Sequence, residues 1–253
     1  MEQQWFVPPS DFLACLEPED REALCARGVE RRLARGEFVF QAGSPGENAY
    51  ILLDGRVKIH QISGLGRETI LWFCFPGELF GVAEVPRAGR REVYAQCSAD
   101  SLILAIPKAR FEEFLAASPA AALRVMELLS CRLRTLGDML MNLTSDDATS
   151  RVVKLLFRLC ARYGMRMEKD IRLQISLTHQ EMADMIGVSR QTVSTVLGDL
   201  RRRRLLEVEN HQIHIVEPEA LYDVIRDPGG ARRPVGRGGA DPAAAPGLAR
   251  VAD

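Results

Sequence analysis

Residues 177–206 read LTHQEMADMIGVSRQTVSTVLGDLRRRRLL. Thr178 followed three residues later by Glu181 is a capping box, the signature of a helix start. The helix Thr178–Ile186 carries the small residue Ala183 and ends at Gly187, where the backbone turns at little steric cost. Ser189 caps a second helix, Arg190–Leu200, whose apolar face is Val193, Val196, Leu197 and Leu200. A short helix, a glycine turn and a second helix form a helix-turn-helix. The second helix would enter a major groove N-terminus first, presenting Ser189, Arg190, Gln191, Thr192, Ser194 and Thr195. Arginine reads guanine through two parallel hydrogen bonds and glutamine reads adenine. Hydroxyls and the backbone N–H groups of a helix start suit phosphates. Arg201–Arg204 follow as electrostatic contacts to a nucleic-acid backbone. Leu205-Glu207-Val208 and Gln212–Val216 then read as a two-stranded wing around Asn210. By itself a helical hairpin is a structural pair and four arginines are a solvated face. It is the order of cap, small residue, glycine, polar face and wing that points to double-stranded DNA.

The charge around this motif agrees. The whole chain of 253 residues is nearly neutral, with 33 basic and 34 acidic residues, yet residues 151–204 hold 12 Lys/Arg against 5 Asp/Glu. The near-zero net charge excludes a uniform basic coat, and the local excess marks the C-terminal half as the side that meets a polyanion. Hydrophobic residues at 47% and charged residues at 26% describe an ordinary globular chain of one or two domains. No stretch reaches the roughly 18 apolar residues of a membrane span. Met1–Ser10 shows no basic and apolar leader, so the expected location is the cytoplasm, with no membrane partner. Cysteines 15, 25, 74, 97, 131 and 160 contain no CxxC pair and read as free thiols, Cys131 and Cys160 within helical patterns. No nucleophile–base pair, metal-ligand cluster or Walker loop is present, so no catalytic residue and no metal site is assigned and an enzyme is not expected.

Working back from the motif, residues 147–163 carry Val152, Val153, Leu155, Leu156 and Leu159 on one face of a helix that stops at Gly164. Thr144–Asp147 supplies its cap and the domain boundary. Before it, a long helix from about Pro119 to Leu143 spaces Met126, Leu129, Leu133, Leu136, Leu140 and Leu143 at 3, 4, 3, 4, 3. This seam spans about 27 Å at 1.5 Å per residue. A helix packed on its own domain shows a broader stripe, whereas a strict 3–4 seam points to a two-stranded coiled coil, hence a homodimer. Phe111–Ala117 is a short helix. From Val29 to Pro107 short apolar runs alternate with glycines: Val39-Phe40, Tyr50–Leu53, Val57–Ile59 and Thr69–Phe73. This texture predicts a small antiparallel barrel or roll. The predicted organisation is a helical lead-in at 1–28, a β-roll at 29–110, a helical linker and dimerisation helix at 111–145, and a winged helix-turn-helix at 146–227. Residues 228–253, with ten Gly/Pro and few large apolar side chains, read as a disordered tail.

With these residues assigned, the chain resembles the cyclic-AMP receptor / fumarate-nitrate regulator (CRP/FNR) superfamily over residues 12–220. The resemblance rests on Arg35-Gly36-Glu37, Gly43, Tyr50–Gly55 and Pro76–Gly81 in the roll. In the C-terminal part it rests on Leu177–Glu181 and Ile186–Ser194. It implies an α+β fold: an N-terminal antiparallel β-roll like the cyclic-nucleotide-binding jelly roll, a long dimerisation helix and a C-terminal winged helix-turn-helix. It further implies a homodimer on a near-palindromic operator that recruits RNA polymerase. Arg190 takes the place of the family's guanine reader, and Gln191 that of a glutamate often found there. Thr195 stands where the cyclic-AMP receptor has a second reading arginine. Thr178, Gln180, Ser189 and Thr192 match phosphate contacts. The Arg-Gln-Thr…Ser-Thr pattern is closer to that of the family's carbon-monoxide sensor.

The resemblance also places an effector pocket at Gly77, Glu78, Leu79, Phe80, Gly81 and Val82, with Arg90, Arg91 and Leu136 around it. Val82 stands in place of the glutamate that holds the ribose, and the arginine-serine phosphate pair is not reproduced. Leu136 and Gly137 replace adenine-contacting hydroxyls. Each missing polar partner costs about 1–3 kcal/mol, so cyclic AMP in the usual pose is not expected. Val82 also occurs in the 2-oxoglutarate-responsive branch. Cys15 and Cys25 are too few for the four-cysteine iron–sulfur cluster. Haem stays open, with His60, Cys74 and Cys97 as ligands in place of the missing Cys and His at Gly81–Ala83. Their alternative readings are a strand-surface histidine and buried thiols. A thiol switch at Cys74 or Cys97, a metabolite anion held by Arg90 or Arg91, or no ligand complete the alternatives. The expected mechanism is a population shift: an effector at the roll–helix junction alters packing at Leu136–Leu143, and the hinge at Ser145–Asp147 reorients the winged helices. A competing class, a cyclic-nucleotide-binding regulatory subunit, would not need residues 148–220.

Overall fold

The computed structural model of the chain describes residues 11–86, 89–167, 170–209 and 212–226. The readings made for Met1–Ser10, for the turn at Asn210 and for the tail at 228–253 fall outside these residues.

The lead-in is helical only in part. Helix α1 covers Pro18–Cys25, while residues 12–15 form turns. The side chain of Asp11 accepts from the Ala14 N–H at 2.8 Å, and Pro18 sits where a helix tolerates it, at the first turn. Phe12 and Leu16 are nevertheless buried.

Strands β1 (Val29–Leu33), β2 (Phe38–Phe40), β3 (Asn48–Asp54), β4 (Val57–Ile62), β5 (Glu68–Cys74), β6 (Leu79–Phe80), β7 (Tyr94–Cys97) and β8 (Ser101–Pro107) follow. They build two antiparallel four-stranded sheets, ordered β1-β8-β3-β6 and β2-β7-β4-β5. Alternation along β3 and β8 serves two cores. Tyr50, Leu52, Ile103 and Ala105 face the space between the sheets, with Phe40, Ile59 and Phe80. Ala49, Ile51, Leu104 and Ile106 face the helices, with Phe111, Phe114, Val125 and Leu128. A sheet buried on both faces has apolar residues at every position, which is why β8 reads SLILAIP rather than alternating. Such a run is ambiguous between strand and buried helix in sequence, and β7 and β8 were not individually legible for that reason.

Helices α2 (Lys108–Ala117) and α3 (Pro119–Ser145) meet at a sharp bend, where Ser118 accepts from the Ala121 N–H at 3.2 Å. Among the described residues no single helix is long and apolar enough to cross a membrane. The side of α3 against the roll buries Ala121, Val125, Leu128 and Cys131. Its other side leaves Met126, Leu129, Leu133, Leu140 and Leu143 exposed, Leu133 at 72% and Leu140 at 63%.

Asp146 and Asp147 separate α3 from α4 (Ala148–Tyr163), with Asp147 accepting from the Ser150 N–H at 2.7 Å. Strands β9 (Gly164–Arg166) and β10 (Ile171–Leu173), helices α5 (His179–Ile186) and α6 (Arg190–Arg202), strands β11 (Leu206–Glu209) and β12 (Gln212–Ile215), and helix α7 (Pro218–Arg226) complete the second half. The wing is a four-stranded sheet, β11-β12-β10-β9, rather than two strands. The two additional strands are three residues each, too short to show a period. Val152, Leu155, Leu156, Met182, Val193 and Leu200 form the core of this half, and α7 adds Leu221 and Val224.

Candidate nucleic-acid interface and effector cavity

The helix-turn-helix is built by local hydrogen bonds. Glu181 N–H donates to Thr178 Oγ1 at 3.1 Å, and Thr178 N–H donates to the Glu181 carboxylate at 2.8 Å, closing the capping box. Gly187 adopts φ 68° and ψ 36°, the left-handed conformation that ends α5. Ala183 is fully buried, and Val188 N–H donates to its carbonyl at 3.2 Å. Ser189 Oγ accepts from Thr192 N–H at 3.0 Å and lies 2.8 Å from Thr192 Oγ1. These bonds tie Thr178, Ser189 and Thr192 to the first turns of α5 and α6.

Arg190, Gln191 and Thr195 are exposed on α6. Ser194 and Thr195 hydroxyls donate back to the Arg190 and Gln191 carbonyls at 3.0 Å, and Ser194 Oγ also lies 2.7 Å from His179 Nδ1. Gln180 is exposed and donates to Asp184 at 2.9 Å. A groove of about 460 Å³ runs between the start of α5, Arg190 and the wing residues Val208 and Ile213. Among the arginines at the end of α6, Asp199 pairs with Arg202 at 3.2 Å and lies 3.9 Å from Arg203. Of the predicted contact residues, Thr178, Gln180 and Arg190 line this groove together.

Two ion pairs fasten this domain to the roll of the same chain. Arg56 donates to the Ser176 carbonyl at 2.5 Å and pairs with Glu181 at 3.2 Å. Arg162 at the end of α4 pairs with Glu78 at 2.6 Å, and Phe75 lies against Tyr163 at 4.2 Å between ring centroids. Glu78 is completely buried; burial raises its pKa, and Arg162 and then Arg132 oppose that shift. Glu78 therefore belongs to the interdomain contact and not to the effector pocket.

The cavity at the roll–helix junction has a volume of about 510 Å³. Gly81, Val82, Arg90, Arg91 and Leu136 line it as expected from the sequence; Gly77, Glu78, Leu79 and Phe80 do not. Leu79 and Phe80 form β6, pair with β3 and point into the two cores, one on each side. Gly77 is covered by Asp11. A Cβ on Gly81 would lie 2.9 Å from the Tyr50 ring, so only glycine keeps this wall in place. Arg91 is not a free anion partner. It is 3% exposed, ion-paired to Glu84, donates to the carbonyls of Gly81 at 2.9 Å and Asn48 at 2.5 Å, and lies 4.2 Å above the Phe40 ring. Breaking such a buried pair costs about 3–5 kcal/mol. Arg90 remains exposed at the rim, with one bond to the Gly43 carbonyl at 2.6 Å. The sequence reading missed Arg132. It lines the cavity, donates to the Leu79 carbonyl at 2.6 Å and lies 5.0 Å from the Trp72 ring. Nothing in the heptad pattern distinguishes it from a solvated arginine.

The residues offered for haem do not fit it. His60 is not on the strand surface but buried, stacked on Tyr94 at 5.3 Å, with Nε2 3.7 Å from the Glu68 carboxylate. Cys74 is fully buried, its thiol pushed up to about 12, chiefly by burial and then by Glu78. Burial also raises Cys97. None of the three lines the cavity. Both thiols stay protonated near neutrality, which removes the nucleophile a thiol switch needs. Among the described residues no group of three or more His, Cys, Asp or Glu side chains is arranged to hold a metal ion. Burial lowers the pKa of His60, opposed by Glu68 and reinforced by Lys58. A folded-state pKa below the unfolded value of about 6.5 makes a stabilising contribution that is complete above the unfolded value and is lost as pH falls from there through the folded one. The expected result is a larger drop in Tm from pH 7.5 to 5.5 for the wild type than for His60→Phe. Equal drops in a thermal melt would assign the acid sensitivity to other groups.

Comparison with known proteins agrees with this geometry. Residues 150–224 match the Crp-like helix-turn-helix domain and residues 30–118 the cyclic nucleotide-binding domain. The global nitrogen regulator of Synechocystis sp. is 30% identical over 189 residues, covering 74% of this chain and 84% of that protein. The CRP-like cAMP-activated global transcriptional regulator of Mycobacterium tuberculosis is 29% identical over 206 residues, covering 81% and 92%. The solved structure of a CooA mutant from Carboxydothermus hydrogenoformans shares the fold, with a TM-score of 0.70 at 22% identity over 79% of this chain and 89% of that one. A β-roll, a long helix and a winged helix-turn-helix, in that order and with those relatives, make this chain a member of the CRP/FNR superfamily of transcription regulators.

Proposed function

We propose that the chain acts as an effector-responsive homodimer that binds a near-palindromic operator and regulates RNA polymerase. One observation carries this reading: a capped α6 exposes Arg190, Gln191 and Thr195, while α3 of the same chain exposes an unpartnered leucine seam. Pairing two seams in parallel would present two recognition helices to successive turns of one face of DNA, about 34 Å apart. The effector is a small organic molecule in the cavity bounded by Trp72, Arg90, Arg132 and Leu136. Cyclic AMP in the usual pose is disfavoured because Val82 is buried in the apolar core and Arg91 is committed to Glu84. Arg132 connects the cavity to the backbone beside Glu78, whose partner Arg162 stands on α4. An occupant that displaces Arg132 thus changes how α4 is held, and the two-residue hinge at Asp146-Asp147 lets the winged domain turn.

The test is a selection of bound duplexes from a random pool by the full-length protein. An inverted repeat with half-sites one helical turn apart is expected. Recovery of no consensus, with only salt-sensitive association, would overturn the regulator reading at the level of sequence recognition.

A further inference from the structure

The first residue of α5 is a histidine whose proton is placed by its neighbours. His179 Nδ1 lies 2.7 Å from Ser194 Oγ on α6. The Ser194 hydroxyl has one proton and donates it to the Arg190 carbonyl at 3.0 Å. Its contact with the ring is therefore a bond from Nδ1–H to Oγ, because a hydroxyl gives one hydrogen and accepts with its lone pairs. A bond at one ring nitrogen decides what the other can do. With the proton on Nδ1, Nε2 is a bare acceptor in the neutral ring and a donor only in the imidazolium. Among the described residues Nε2 has no hydrogen-bond partner. The bond is not needed to satisfy Ser194, which the Arg190 carbonyl already engages; its effect is to fix the ring.

The surroundings favour a polyanion as the missing partner. His179 lines the groove of about 460 Å³ together with Thr178, Gln180 and Arg190. Thr178 and Gln180, one residue to either side, are expected phosphate contacts. The charges around the ring come from three elements. On α6, Arg190 lines the same groove. On α5, Glu181 is engaged by Thr178 and by Arg56 of the roll, and Asp184 accepts from Gln180. The wing brings Val208 and Ile213 to the groove and no charged side chain. With no carboxylate in the lining, the counter-charge for an imidazolium has to arrive with the ligand. A neutral Nε2 offers a phosphate only a lone pair, whereas the charged ring offers a charge-assisted donor.

We infer that His179 is a proton-dependent phosphate contact: in the DNA complex Nδ1–H donates to Ser194, Nε2–H donates to a backbone oxygen of the duplex, and each chain takes up one proton from solution as it binds. Histidine is the side chain that changes charge between pH 5 and 8, so the affinity for DNA rises as pH falls through that range. The inference rests on the DNA-binding reading, though not on operator preference, since phosphates carry no sequence.

The experiment titrates the full-length chain with a labelled duplex holding the selected inverted repeat, and with a scrambled duplex, at pH 6, 7 and 8 and constant ionic strength. Fluorescence anisotropy of the wild type is expected to show a Kd lower by about tenfold or more at pH 6 than at pH 8, on both duplexes. His179→Gln keeps a donor for Ser194 and carries no charge at any pH; it should lose this slope and bind at least about fivefold more weakly than the wild type at pH 6. His179→Arg, charged throughout, should also be flat and should bind more tightly than the wild type at pH 8. Circular dichroism melts at pH 6 and 8 check that both variants stay folded. An equal slope in the wild type and His179→Gln would overturn the inference, because the proton would then be taken up elsewhere. So would a loss in His179→Gln that is the same at every pH, which would leave His179 as a prop for Ser194. A slope confined to the inverted repeat would make the ring a base contact and overturn the phosphate assignment. Failure of the wild type to bind either duplex at any pH would overturn the DNA-binding reading and this inference with it, an outcome visible before any variant is made.

Discussion

Replacing both Leu133 and Leu140 by aspartate is expected to yield a monomer and to lower operator affinity at least a hundredfold. In the single chain these two side chains are 72% and 63% exposed, on the face of α3 opposite the one that buries Val125, Leu128 and Cys131. Neither belongs to a core of the chain, so the substitutions leave the roll and the winged domain folded. Burying one leucine against a partner contributes about 1.5–3 kcal/mol, and a carboxylate in the same place adds a desolvation cost. A monomer also forfeits the effective concentration that ties the second half-site to the first, a factor of about 10²–10⁴. Sedimentation velocity reports the oligomeric state, fluorescence anisotropy reports operator affinity, and circular dichroism checks the fold. A double variant that stays dimeric with wild-type affinity would place the dimer contact elsewhere than on α3.

The second large effect is expected from Arg190→Ala, which should abolish operator preference while retaining weak association at low salt. Arg190 is exposed at the first position of α6, makes no ion pair among the described residues and lies beside the groove that leads to the wing. A bidentate contact to guanine discriminates by about 1–3 kcal/mol, and a dimer makes that contact twice, so specific affinity falls by about 30-fold to 10⁴-fold. Association with any duplex persists because the arginines after α6 still meet phosphates. Alanine is the better helix former, so the variant keeps α6. Titrations against operator and scrambled duplex give the ratio directly. Full operator preference in the variant would mean that α6 is not the reading helix.

The parts of this chain that were legible in the sequence are local ones. Thr178 with Glu181, Gly187 and Ser189 each act within four residues, so the pattern names the bonds that the structure contains. The leucine seam is a periodicity within one helix, and it lies outward on α3. The strands β3, β4 and β5 announce themselves by β-branched and aromatic runs between glycines. The short strands β9 and β10 did not, because three residues carry no period and their stability comes from pairing with β12.

The effector region was read least well, for a different reason. Glu78 and Arg91 sit among residues that the resemblance assigns to a ligand, yet each is claimed by a partner that sequence spacing cannot reveal. Glu78 meets Arg162, 84 residues away, and Arg56 meets Glu181, 125 residues away. His60 alternates with polar neighbours like a surface residue but is buried under Tyr94. By itself the sequence determined the order of roll, long helix and winged helix-turn-helix, and the start of α6 at Arg190, because caps, periods and turns are set by neighbouring residues. Only the tertiary structure decided which arginines have carboxylates, which face a cavity and which hold the two domains together. A buried charge takes its partner from whatever the fold brings within a few ångströms, and that distance has no counterpart along the chain.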